Sequence, residues 1–135
     1  MPLTKLHYQR LATLREALRR FLHFSQNAAE LEGLTQQQHQ AMLALKGSQR
    51  GSLSVGELAE QLYVHHHSAV GLVDRLARQK LVRRLASSTA DRRRVDLRLT
   101  ARGEALIDRL SRAHWLELQQ FGPELRSALD DILTR

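Results

Sequence analysis

The chain has 135 residues, 21 of them Lys or Arg and 14 Asp or Glu, for a formal charge of +7; this length suits one domain with a sizeable core and not two independent ones. It has no cysteine, which excludes disulfides, thiolate nucleophiles, Cys-based zinc sites and thiol-based peroxide sensing. No apolar run approaches the roughly 20 residues that span a bilayer, and Met1 to Arg10 lacks the apolar stretch of a secretory signal, so a cytoplasmic protein with no membrane partner is expected.

In chain order, Leu6, Leu11, Leu14, Leu18, Phe21 or Leu22, Ala28 and Ala29 follow the three-and-four spacing of one helical face. They predict a helix from about Thr4 to Leu31, ended by Glu32-Gly33. Thr35-Gln36-Gln37-Gln38 has the form of a capping box and opens a second helix to about Lys46. Gly47 to Gly51 is turn-forming, and Ser54-Val55-Gly56-Glu57 offers another capping box, with Ser54 as cap of a short helix, Val55 to Leu62. After Tyr63-Val64 a helix resumes from about His66 to Gln79, with Val70, Val73, Leu76 and Ala77 as its inward stripe. Val82 to Leu85 and Val95 to Leu99 read as two strands of a hairpin, the second turning Val95, Leu97 and Leu99 inward and Asp96 and Arg98 outward. Thr100 caps a helix from Ala101 to about Gln120, with Leu106, Leu110, Ala113 and Leu118 on one side. Gly122-Pro123 is read as a break, after which a last helix carries Leu125, Leu129, Ile132 and Leu133.

The positive charge is concentrated. Gly71 to Arg102 holds ten basic and three acidic residues, and the rest of the chain is neutral. A neutral body with one cationic face suits a polyanion, whose condensed counterions are released on contact. The short helix, tight turn and second helix, followed by a hairpin tipped with Asp91-Arg92-Arg93-Arg94, have the order of parts of a winged helix-turn-helix. The fold class expected is therefore mainly α, with a small antiparallel β-hairpin wing.

Candidate DNA contacts follow from that order. His65, His66, His67 and Ser68 begin the second helix of the pair, the part that enters a major groove, and Arg75 lies further along it. Consecutive helical residues point about 100° apart, so the three histidines cannot converge on one metal ion. If charged, they would strengthen binding as pH falls toward ~6.5. Arg92, Arg93 and Arg94 are placed to enter a minor groove, with Arg93 first among them. Asp91 would repel phosphate, so its expected task is internal, structuring the wing by holding one of its arginines or Arg75. The apolar terminal helices offer Leu6, Leu11, Leu14, Leu118, Phe121, Leu125, Leu129 and Leu133 to a second copy of the chain.

Three stretches together resemble the MarR family of bacterial transcription regulators over nearly the whole chain. They are Leu58-Ala59-Glu60-Gln61-Leu62 through Val73-Asp74-Arg75-Leu76, then Leu81-Val82-Arg83-Arg84, and Asp91-Arg92-Arg93-Arg94 followed by Leu97-Arg98-Leu99-Thr100-Ala101-Arg102-Gly103. The resemblance implies a single MarR-type domain over 1–135, with a winged helix-turn-helix lobe at 35–100 and a helical dimerisation region from 1–34 and 101–135. It implies a homodimer on pseudo-palindromic double-stranded DNA, usually a repressor, with small-molecule effectors in the crevice between dimer helices and DNA-binding lobe. The wing aspartate and the arginine two positions on, Asp91 and Arg93, match the family's structuring pair. Two departures are Tyr63 and Lys80, where relatives commonly have glycine; a third is Gly71, where a polar or basic residue is frequent.

No nucleophile elbow, phosphate loop, HExxH or paired-carboxylate arrangement is present, so neither enzyme activity nor a cofactor is expected. Two rival readings are a metal-responsive DNA-binding regulator using scattered histidines, and a basic module that binds an acidic protein or RNA.

Overall fold

Three helix ends close with the same pair of backbone hydrogen bonds, and these ends steer the chain. At the end of α1 (Lys5–Leu31) the Gly33 amide donates to the Glu30 carbonyl and the Leu34 amide to that of Ala29. The end of α3 (Val55–Leu62) repeats this with Tyr63 to Glu60 and Val64 to Ala59. The end of α4 (His66–Arg78) repeats it again with Lys80 to Ala77 and Leu81 to Leu76. The pattern requires one left-handed residue, which glycine adopts without strain. Gly33 supplies it at φ 77°, but the other two ends use Tyr63 at 56° and Lys80 at 61°.

The starts of the helices are fixed as locally. Thr35 and Gln38 form a reciprocal box at α2 (Gln36–Gly47), and Ser54 and Glu57 do the same at α3. Thr100 Oγ1 accepts from the Gly103 amide at 3.1 Å to open α5 (Ala101–Leu133). The Thr100 hydroxyl also donates to the Lys80 carbonyl at 2.6 Å, and its amide donates to the Leu81 carbonyl. One residue thus ties the start of the last helix to the left-handed turn after α4. Gly103 makes the join possible, because a Cβ there would lie 2.2 Å from the Leu81 carbonyl oxygen.

The computed structural model describes residues 1–86 and 94–134. Among them is a three-stranded antiparallel sheet rather than a bare hairpin, with β3 (Val95–Leu99) between β1 (Leu53–Ser54) and β2 (Val82–Ala86). Two residues carry too little periodicity to announce a strand, so β1 escapes sequence reading. Its presence corrects the expected facing of β3. Leu97 and Leu99 point into the core, but Asp96, paired with Ser54 on one side and Leu85 on the other, is buried, while Val95 at the open end of the ladder is exposed.

One core joins all parts, with Met42 and Leu45 from α2, Leu58 from α3, Leu76 from α4, Leu97 from β3 and Ile107 from α5 fully buried. The long helices α1 and α5 pack along each other beside it. Helix α5 runs without interruption through Pro123, against the expected break. A proline ring clashes with the Cβ of the preceding residue in helical conformation, and Gly122 has none. Phe121 and Ala128, buried on either side, hold both segments in place. Ala113, expected among the inward residues of α5, is exposed, while Leu106, Ile107 and Leu110 are buried.

Candidate nucleic-acid interface

Helix α4 turns Ala69, Leu72, Val73 and Leu76 toward the core. His66, His67, Ser68, Arg75 and Arg78 are exposed, and His65 is the exposed N-cap, with no side-chain capping bond. The expected inward stripe was offset by one residue at its start. Val70 stands 36% exposed on the outward side, because the packing neighbours approach α4 from the side of Ala69 and Leu72. Sequence periodicity read this valine as core; it is an apolar group among polar and cationic neighbours.

The wing is fastened to this helix by ion pairs. Asp74 of α4 pairs with Arg84 of β2. Arg94 is held from two sides, its Nε donating to Asp96 Oδ1 at 2.9 Å and its Nη2 to Glu57 in the first turn of α3. Glu57 also accepts from the Ser54 amide, and that bond, then the Ser54 hydroxyl and Arg94, keeps its carboxyl below the usual range. Arg94, expected as a groove contact, is thus engaged inward, and it compensates the buried Asp96. Nothing local in the sequence announces a partner 37 positions away. Asp91, Arg92 and Arg93 lie outside the described residues.

Two further cations of the wing were counted in the charge excess by sequence reading without being placed. Arg83 on β2 and Arg98 on β3 are directly opposed in the ladder, and both are exposed. Like charges in that relation repel. A polyanion across them relieves the repulsion.

Where α1, α2 and α5 meet, a second polar cluster is buried. His114 Nδ1 lies 2.6 Å from the Leu110 carbonyl oxygen and Nε2 2.9 Å from Ser25 Oγ, so the carbonyl selects the tautomer with hydrogen on Nδ1 and Ser25 donates to Nε2. Phe21 and Phe24 pack edge-on against this ring, and His39 lies beside it at 4.7 Å between centroids. His39 is almost wholly buried, and among the described residues its Nδ1 has no partner. Burial, then the His114 imidazole, lowers His39 from 6.5 to about 4. Among the described residues no group of three or more potential metal ligands gathers.

On the terminal helices, Leu6, Leu11, Leu118, Leu129 and Leu133 are exposed, and Leu14 and Leu125 are half-buried. Phe121 departs from the expected open face. It is buried within the chain, with the Arg20 guanidinium 4.8 Å above its ring. The N-terminal end of α1 and the C-terminal end of α5 border a groove of about 770 Å³ lined by Leu3, Leu11 and Ile132 among others. Among the described residues no helix is long and apolar enough to cross a membrane.

A family model described as the MarR family matches residues 32–94, from the end of α1 to the wing. The crystal structure of the transcriptional regulator PA4135 is similar over 98% of this chain and 94% of that one, at 30% identity and a TM-score of 0.66. The chain belongs to the MarR family. As a MarR family protein it is a DNA-binding transcriptional regulator with a winged-helix fold. The fold is matched over more of the chain by AbsC, a MarR family transcriptional regulator from Streptomyces coelicolor, with a TM-score of 0.80 at 22% identity, covering 99% of this chain and 93% of that one. A mutant MarR from E. coli, crystallised with operator DNA, matches 82% of this chain and 75% of its own, at 22% identity and a TM-score of 0.65. No curated protein matches the chain.

Proposed function

We propose that two copies of this MarR family chain bind a pseudo-palindromic operator and repress transcription until a small molecule releases them. The observation that carries the reading is the outward face of α4, where His66, His67, Ser68, Val70 and Arg75 stand clear of the core on a helix fastened to the wing. Residues at the start of that helix read base edges in the major groove, and the wing, with Arg92 and Arg93 in the sequence between its strands, reaches the flanking minor groove. Arg83 and Arg98 take backbone phosphates. Arg94 and Asp91 structure the wing; Arg94 does so through Glu57 and Asp96. The complex of E. coli MarR with operator DNA supports this use of the fold.

Pairing rests on the apolar side chains that α1 and α5 leave exposed, Leu6, Leu11, Leu118, Leu129 and Leu133 chief among them. Ligand release requires an effector with different affinity for two dimer geometries, only one of which matches the half-site spacing. The junction of α1, α2 and α5 is where such a change passes from the dimer helices to the DNA-binding lobe. Titration of a duplex at several salt concentrations tests the proposal. Specific binding should survive competitor DNA and weaken steeply with salt. Arg93→Ala should weaken binding to most sequences, whereas His66→Ala or His67→Ala should change sequence preference. Binding left intact by all three contradicts the assignment. Metal-dependent affinity, or preference for RNA or an acidic protein over duplex DNA, points instead to the rival readings.

A further inference from the structure

Gly71 lies in the interior of α4, where glycine weakens a helix relative to alanine. Nothing among the described residues asks for it. Its φ is not positive, and among the described residues an added Cβ would meet only Arg75 Nη1, at 3.9 Å, an ordinary contact. Gly103 is the contrast, since there the Leu81 carbonyl leaves no room for a side chain. Packing among the described residues therefore leaves Gly71 unexplained. His67, Gly71, Asp74 and Arg78 follow the four-three-four spacing of one helical row, on the side of α4 opposite the buried Ala69, Leu72 and Leu76. The centre of the DNA-facing surface thus carries a notch, with Val70 and Arg75 on its two flanks. Asp74 beside it is neutralised by Arg84.

We propose that Gly71 is a positioning residue for sequence readout: its missing side chain lets the α4 backbone seat against base edges, bringing Val70 onto a thymine methyl group. The proposal rests on the reading of α4 as the helix that enters the major groove. Glycine serves wherever a backbone must approach a ligand closely, and an apolar side chain in the groove has the thymine methyl as its natural partner.

The test compares the full-length chain with its Gly71→Ala variant on a duplex chosen by oligonucleotide selection and on a scrambled duplex. The variant should melt a few degrees higher, yet bind the selected duplex roughly tenfold more weakly, with scrambled-duplex affinity unchanged. A damaged fold would instead lower the melting temperature and both affinities. Thymine-to-uracil replacement along the half-site should reveal one position where the wild type loses affinity and neither Gly71→Ala nor Val70→Ala loses more. An unchanged ratio of selected to scrambled binding in Gly71→Ala overturns the proposal while leaving the groove reading intact. A wild-type chain that does not prefer the selected duplex overturns both.

Discussion

Tyr63 and Lys80 hold left-handed conformations that disfavour any residue with a Cβ, at about 1–2 kcal/mol each. Part of that is offset because glycine loses more freedom on folding. Tyr63→Gly and Lys80→Gly should each stabilise the chain by about 0.5–1 kcal/mol, read as a raised midpoint in chemical denaturation. The Tyr63 side chain is 96% exposed, so no packing is lost with it. Gly103→Ala should do the reverse, costing about 3 kcal/mol, since backbone and not a flexible side chain occupies the space. The helix caps were the most legible features in the sequence. Capping boxes and left-handed turns depend on hydrogen bonds spanning three to five residues, so Thr35, Ser54 and Thr100 announce themselves. Val70 was misread because stripe position alone does not tell which neighbour a helix meets.

Among elements, the wing is joined to the helical pair by Asp74–Arg84 and by Arg94 with Glu57 and Asp96. A phosphate-contacting arginine and a structural one fail differently when removed. Arg94→Ala leaves Asp96 buried without its guanidinium, so the melting temperature should fall and wing-dependent affinity with it, while the slope of log affinity against log salt stays near the wild-type value. A slope reduced by about 1 with unchanged melting would instead make Arg94 a phosphate contact. Sequence alone located both strands of the wing, the second by its alternation of Val95, Leu97 and Leu99 with Asp96 and Arg98. It could not join Arg94 to Glu57, a pairing made only when α3 and the wing meet in space. The unbroken α5 was likewise hidden, since the rule that proline ends helices gave way to packing at Phe121 and Ala128.

At the scale of the whole molecule, the packed pair of buried His39 and half-buried His114 links terminal helices to the lobe and makes stability depend on pH. Folding holds His39 near 4, against 6.5 when it is unfolded. Its contribution is complete above about pH 6.5 and is lost progressively as pH falls toward 4, where the loss reaches about 3 kcal/mol. Between pH 7 and pH 4.5 the wild type should therefore lose more in melting temperature than His39→Leu; an equal loss would show that His39 carries none of the dependence. Charge on the molecule was legible from the start as a cationic segment on a neutral chain. Register gave it form, by bringing Arg83 beside Arg98 on the outer face of the wing. Two copies of α4 and the wing are proposed to read DNA together, and selection of bound oligonucleotides by the whole chain tests this most directly. It should return an inverted repeat with half-site centres about 10 bp apart; a selected pool with no repeat, or with a single unpaired half-site, would contradict it.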